Sequence, residues 1–131
     1  MFDPKKPTVQ MLGRWQPWHD GHSALFKKAH AKTGQVCIMI RDMPEDENNP
    51  YSMEQRRNNI IAGLLDEGFL LDEDYTIMVV PNIVDITYGR KVGYSITQEQ
   101  LEKEIEAISA TKIRQEDSEY LKDPYRPWLD Q

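Results

Sequence analysis

At 131 residues, with 39% hydrophobic and 9% aromatic side chains, the chain can bury one sizeable core and is too apolar for a disordered segment. Twenty-two acidic against 16 basic residues leave a net charge of −6, which argues against a nucleic-acid partner, since such partners call for a basic face. No basic-then-apolar leader opens the chain and no apolar run nears the roughly 18 residues of a spanning helix, so a soluble, cytoplasmic protein without a membrane partner is expected.

Residues 8–13 read as a first strand ending in glycine. The segment that follows is Gly13-Arg14-Trp15-Gln16-Pro17-Trp18-His19-Asp20-Gly21-His22. A strand, a short loop and a helix start with two histidines around a glycine make a layout suited to a polyphosphate. A helix N-terminus offers unpaired N–H groups and a positive dipole end, and Gly21 places no side chain between an anion and the backbone. His19 and His22 are three residues apart, so one helical turn sets both rings on one side of that anion site. Either ring can donate to phosphate oxygens and add positive charge near neutral pH.

The first helix is predicted over residues 21–32 with Ala24, Leu25 and Ala29 inward, and a second strand over 35–41. That strand contains the single cysteine, Cys37, which has no disulfide partner and is expected as a small core residue. An acidic loop rich in Asn and Pro spans 42–50, and a second helix spans 52–67, with Ile60, Ile61, Leu64 and Leu65 apolar. Ser52 can cap it, with Glu54 and Gln55 in its first turn. Within Asn49-Pro50-Tyr51-Ser52-Met53-Glu54-Gln55-Arg56-Arg57, Arg56 is a candidate for a phosphate network or an acceptor, and Tyr51 a further acceptor candidate.

A third strand is predicted over 76–80 and a fourth over 83–88, followed by Tyr88-Gly89-Arg90-Lys91-Val92-Gly93-Tyr94. Two glycines there bracket two cations, which makes either a plain basic turn or a binding loop with Gly89 and Arg90 as acceptor candidates. Residues 98–107 could form a short helix or an irregular turn, and 109–120 a last helix capped by Ser109. Thr111 falls in its first turn and Arg114 one turn later, on the same face, where a guanidinium fork suits phosphate oxygens. The aromatic, proline-rich tail over 123–129 is expected to pack on the body or on a neighbouring subunit, which leaves a homo-oligomer open. The alternation implies an α/β fold over residues 1–131 as a single domain, a doubly wound parallel sheet with ligands at the carboxyl ends of its strands.

The His19-Asp20-Gly21-His22 segment resembles the HxGH signature of the nucleotidyltransferase superfamily, and Ile108-Ser109-Ala110-Thr111-Lys112-Ile113-Arg114 is similar to its ISxTxxR element. The longer Gly-Arg-aromatic-Gln-Pro-aromatic-His-x-Gly-His wording is similar to archaeal-type nicotinamide mononucleotide adenylyltransferases. Glycerol-3-phosphate cytidylyltransferases share the glycine, an aromatic and the paired histidines, but usually carry Thr-Phe-Asp where this chain has Arg14-Trp15-Gln16. The resemblance implies a Rossmann-like fold and in-line attack of an acceptor phosphate on the α-phosphorus of a nucleoside triphosphate. His19, His22 and Arg114 would be catalytic, and Gly13, Arg14, Trp15, Gly21, Ser109 and Thr111 would bind nucleotide or phosphate. Mg²⁺ would be carried chiefly by the triphosphate, with no dedicated metal site. ATP with a nicotinamide mononucleotide-like acceptor is slightly favoured over CTP with a polyol or alcohol phosphate.

Other readings compete. A dinucleotide-binding module needs a Gly-rich fingerprint after the first strand and a P-loop kinase a Gly-x-x-x-x-Gly-Lys-Ser/Thr loop, and both are absent. A fragment like the core of a class I aminoacyl-tRNA synthetase would need anticodon-reading bulk. A non-catalytic nucleotide sensor could keep the fold, but would not need groups that act on a transition state.

Overall fold

The computed structural model describes residues 1–90 and 93–99. Three strands, β1 (Val9–Gly13), β2 (Val36–Arg41) and β3 (Tyr75–Val80), form a parallel sheet in the order β1-β2-β3. Helix α1 (Asp20–Thr33) joins the first pair and α2 (Met53–Asp66) the second. Both steps run the same way across the sheet, so right-handed crossovers lay both helices on one face. The architecture is a Rossmann-like α/β domain. Among the described residues only one helical layer is present, which is half of a doubly wound sheet.

The register fixes which residues that layer covers. Val9, Val36 and Tyr75 lie side by side, as do Met11, Ile38 and Ile77, and Gly13, Ile40 and Val79. Strand β2 alternates strictly, with Val36, Ile38 and Ile40 buried and Cys37, Met39 and Arg41 half-buried. Phe26 and Ala29 of α1 and Ile60 and Leu64 of α2 meet the buried row in one core, joined by Trp15 and Trp18 from the loop after β1. The inward set of α1 is therefore Phe26 and Ala29, while Ala24 and Leu25 are half-buried. On α2, Leu65 points outward at 56% exposure, because it follows Leu64 by only a third of a turn.

The helix ends obey local chemistry. Ser52 caps α2 in a reciprocal box, its hydroxyl accepting from the Gln55 N–H at 3.1 Å while Gln55 Oε1 accepts from the Ser52 N–H at 2.7 Å. Helix α1 ends on Gly34 in the left-handed region, φ 84°, with its N–H bonded to the His30 carbonyl.

The expected fourth strand over 83–88 does not form among the described residues. Pro81 lacks the N–H that would continue the ladder, and the Ile83 N–H turns back to the Pro81 carbonyl at 2.7 Å. Val84, Ile86 and Tyr88 are left 82%, 51% and 59% exposed. Residues 98 and 99 are irregular, and the remainder of the 98–107 segment, the predicted last helix and the tail lie outside the described residues.

Candidate active site

Strand β1 delivers the chain to the carboxyl edge of the sheet, and the next nine residues build the site. Trp15 sits at φ 52°, a left-handed conformation that costs a non-glycine residue on the order of 1 kcal/mol or more. Its ring holds it there. The indole N–H donates to the Met39 carbonyl at 3.0 Å, and the ring folds back over Gly13. A Cβ on Gly13 would meet that ring at 2.8 Å, so glycine is required here by the indole.

Gln16 is buried and pairs with the backbone of Tyr51. Its Oε1 accepts from the Tyr51 N–H at 3.1 Å and its Nε2 donates to the Tyr51 carbonyl at 3.4 Å. Arg14 Nη1 donates to Asn49 Oδ1 at 3.3 Å. Arg56, only 2% exposed, donates through Nη1 to the carbonyls of Arg14 at 3.0 Å and Arg41 at 2.9 Å. One guanidinium thus clamps the loops after β1 and β2. The clamp turns Arg56 inward, and Tyr51 beside it is also buried, so both shape the cleft from behind.

The two histidines form the front of the site. His19 is the N-cap of α1 and His22 its third helical residue, and together they make a capping box built from imidazoles. His19 Nδ1 accepts from the Gly21 N–H at 3.0 Å, and His22 Nδ1 accepts from the His19 N–H at 3.2 Å. The rings stack with centroids 3.7 Å apart, and His22 also meets Trp15 edge-on at 4.8 Å and Trp18 at 5.4 Å. An Nδ1 that accepts a hydrogen bond carries no proton, so in the neutral ring the proton sits on Nε2. Each histidine therefore offers one Nε2–H donor.

This corrects the sequence expectation in two respects. The N–H groups of Gly21, His22 and Ser23 are already bonded to His19, through its Nδ1 or its carbonyl, so the helix backbone has fewer free donors for an anion than expected. Burial also disfavours the charged form of both rings. Burial, reinforced by the neighbouring His19, pushes the His22 pKa down to about 3. Burial lowers that of His19 as well, partly opposed by Asp20.

Among the other sequence candidates, Gly21 is buried beneath the pair, and Gly89 and Arg90 lie on an exposed bend. Ser109, Thr111 and Arg114 lie outside the described residues. Trp15 is 6% exposed and packs against His22, so its ring is not free to stack on a nucleobase. Among the described residues no group of three or more His, Cys, Asp or Glu is placed to hold a metal ion.

Sequence reasoning missed Gln16, Asn49 and Arg41. Gln16 lies within a run of four buried residues, Trp15 to Trp18, a burial that no period of the sequence reveals. Arg41 had a readable signal: a cation closing an apolar parallel strand stands where such folds bind ligands.

A family model for cytidylyltransferase-like proteins matches residues 11–100, more than half of the chain. The chain belongs to that family. It is thereby a member of the HxGH nucleotidyltransferase superfamily, and the matched region contains the end of β1, the histidine pair and the Arg56 clamp. No curated protein and no solved structure matches the chain. In this cytidylyltransferase-like domain no helix among the described residues is long and apolar enough to cross a membrane.

Proposed function

We propose that the protein moves a nucleoside monophosphate from a nucleoside triphosphate to a small phosphorylated acceptor. An oxygen of the acceptor phosphate attacks the α-phosphorus in line, the bond from that phosphorus to the α–β bridging oxygen breaks, and pyrophosphate leaves. Such a transfer asks the protein for positioning and for donors aimed where charge gathers. The observation that carries the reading is the stacked His19–His22 pair, with each Nδ1 tied to backbone and each Nε2–H left as a donor. Family membership supports the same chemistry.

In this reading His19 and His22 hold α- and β-phosphate oxygens as negative charge shifts to the leaving group. Arg14 lines the phosphate path, while Gly21 sits beneath the pair with its N–H given to His19. Ser109, Thr111 and Arg114 are proposed to hold the β- and γ-phosphates. The imidazoles do not suit a resident metal ion, since one nitrogen of each is engaged and the other bears the proton. Magnesium would be held chiefly by the triphosphate's own oxygens. The Gly-Arg-Trp-Gln-Pro opening favours ATP and a nicotinamide mononucleotide-like acceptor, ahead of CTP and a polyol phosphate.

The test is pyrophosphate release by the full chain with Mg²⁺, across ATP and CTP paired with nicotinamide mononucleotide or glycerol 3-phosphate. Release that requires both substrates is expected. Triphosphate binding, seen as a raised melting temperature, with no release from any pair would instead favour a nucleotide sensor.

A further inference from the structure

The open face of the sheet carries a feature that the histidine site does not use. Leu12 of β1 and Arg41 of β2 share that face with the segment after β3, and together with Ile83, Val84, Asp85 and Ile86 they line a cavity of about 440 Å³. Neither histidine lines it. Yet it adjoins the phosphate loop, because the Arg56 guanidinium bridges the carbonyl of Arg41 and that of Arg14.

The lining is unusual in its chemistry. Four of the six residues are aliphatic, and the other two carry opposite charges. Arg41 Nη2 donates to Asn82 Oδ1 at 2.8 Å, which fixes the guanidinium at the rim. Its Nε is buried and has no hydrogen-bond partner. The buried Nε is closed to a ligand and Nη2 is engaged by Asn82, so the outer end of the guanidinium is the part that lines the cavity and can meet a phosphate or carboxylate. Asp85 accepts from the Thr87 hydroxyl and is otherwise exposed, so its carboxylate has lone pairs to spare. A carboxylate there repels a bare anion but welcomes a hydroxyl. The pocket therefore suits a molecule with a phosphate at one end and a hydroxyl-bearing body.

We propose that this cavity is the acceptor pocket, with Arg41 gripping the acceptor's phosphate and Asp85 receiving a hydroxyl of its body. The proposal rests on the transferase reading for its role, but the pocket itself can be judged by binding alone. Substituting the Arg41 side chain leaves intact the backbone carbonyl that Arg56 uses, and Asp85 is exposed, so neither change attacks the core.

The experiment compares the wild-type chain with Arg41→Gln, Arg41→Lys and Asp85→Ala. The probes are nicotinamide mononucleotide, glycerol 3-phosphate and inorganic phosphate, with glycerol and nicotinamide riboside as unphosphorylated controls. Acceptor affinity is read by calorimetry, acceptor KM by pyrophosphate release, and triphosphate binding by the melting shift with Mg·ATP and Mg·CTP. Arg41→Gln should weaken the phosphorylated probe roughly ten- to hundredfold, the scale of one charge-assisted hydrogen bond, and leave the triphosphate shift unchanged. Arg41→Lys should recover part of that loss, because it keeps the charge without the fork. If Arg41→Gln melts early, the lysine variant carries the comparison. Asp85→Ala should weaken the hydroxylated probes but not inorganic phosphate. Unchanged acceptor affinity in Arg41→Gln, equal loss of triphosphate and acceptor, or a wild-type chain that binds no phosphorylated probe would each overturn the pocket. Arg41-dependent binding without pyrophosphate release from any pair would keep the pocket and overturn the transferase reading.

Discussion

His22 serves the helix with one nitrogen and the cleft with the other. Its Nδ1 closes the box with the His19 N–H, while Trp15, Trp18 and His19 pack around the ring, and Nε2–H is the donor proposed for the chemistry. Truncation to alanine would therefore remove a cap and a packed ring as well as a donor. His22→Gln is the cleaner probe, because a glutamine at this helix position can still accept from the cap N–H. Turnover should fall by roughly 100-fold or more, the scale of one preorganised donor, while triphosphate affinity changes far less. Pyrophosphate release and the triphosphate-induced melting shift on the same preparation check both halves. Turnover that survives in a folded His22→Gln protein would take His22 out of the chemistry. The HxGH spacing makes the pair legible in the sequence. The tautomer is not, because it depends on which backbone N–H each ring meets.

At the scale of elements, the site is held by contacts that cross between them. Gly63 of α2 illustrates this. A Gly→Ala change inside a helix normally stabilises by about 1 kcal/mol. Here the new Cβ would meet Trp18 Cδ1 at 2.9 Å, and Trp18 is pinned by its indole N–H on Ser23 Oγ at 2.9 Å. The ring has little room to yield, and it supports His22. Gly63→Ala should lower the melting temperature despite its better helix propensity, and should reduce turnover as the Trp18–His22 contact shifts. A more stable, fully active variant would show that the aromatic seat is dispensable. The Ser52 cap with Gln55 in its first turn was readable from the chain, since it is short-range; the alternating burial of β2 was not, because Val36 to Ile40 is apolar throughout. The Trp18–Gly63 contact was not, because its partners are 45 positions apart and meet only when α1 and α2 pack.

For the whole molecule, the depressed histidines tie stability to pH. The His22 pKa is held at about 3 in the folded chain against an ordinary 6.5, chiefly by burial and next by His19. Between those values the unfolded chain binds the additional proton, so stability falls as pH drops from about 6.5 toward 3 and is unaffected by this group above that window. His19 acts in the same direction. The loss from His22 should be on the order of a few kcal/mol by the acid end. Melting curves from pH 7 to 4 should show it, and His22→Gln should flatten the slope; equal slopes would contradict the burial argument. The sequence by itself determined the three strands, both helices, the Ser52 cap of the second, the parallel α/β order and the histidine pair. These rest on hydrophobic period, capping chemistry and glycine placement, all of which act over a few residues. The tertiary structure alone decided the rest: Arg56 became a buried clamp, Trp15 a strained support, Gln16 a partner for Tyr51, and Arg41 the cation of a cavity. Among the described residues it also left 83–88 outside the sheet. Each of these depends on which distant backbone groups need a partner once the sheet and helices have met, and no local pattern of residues encodes that.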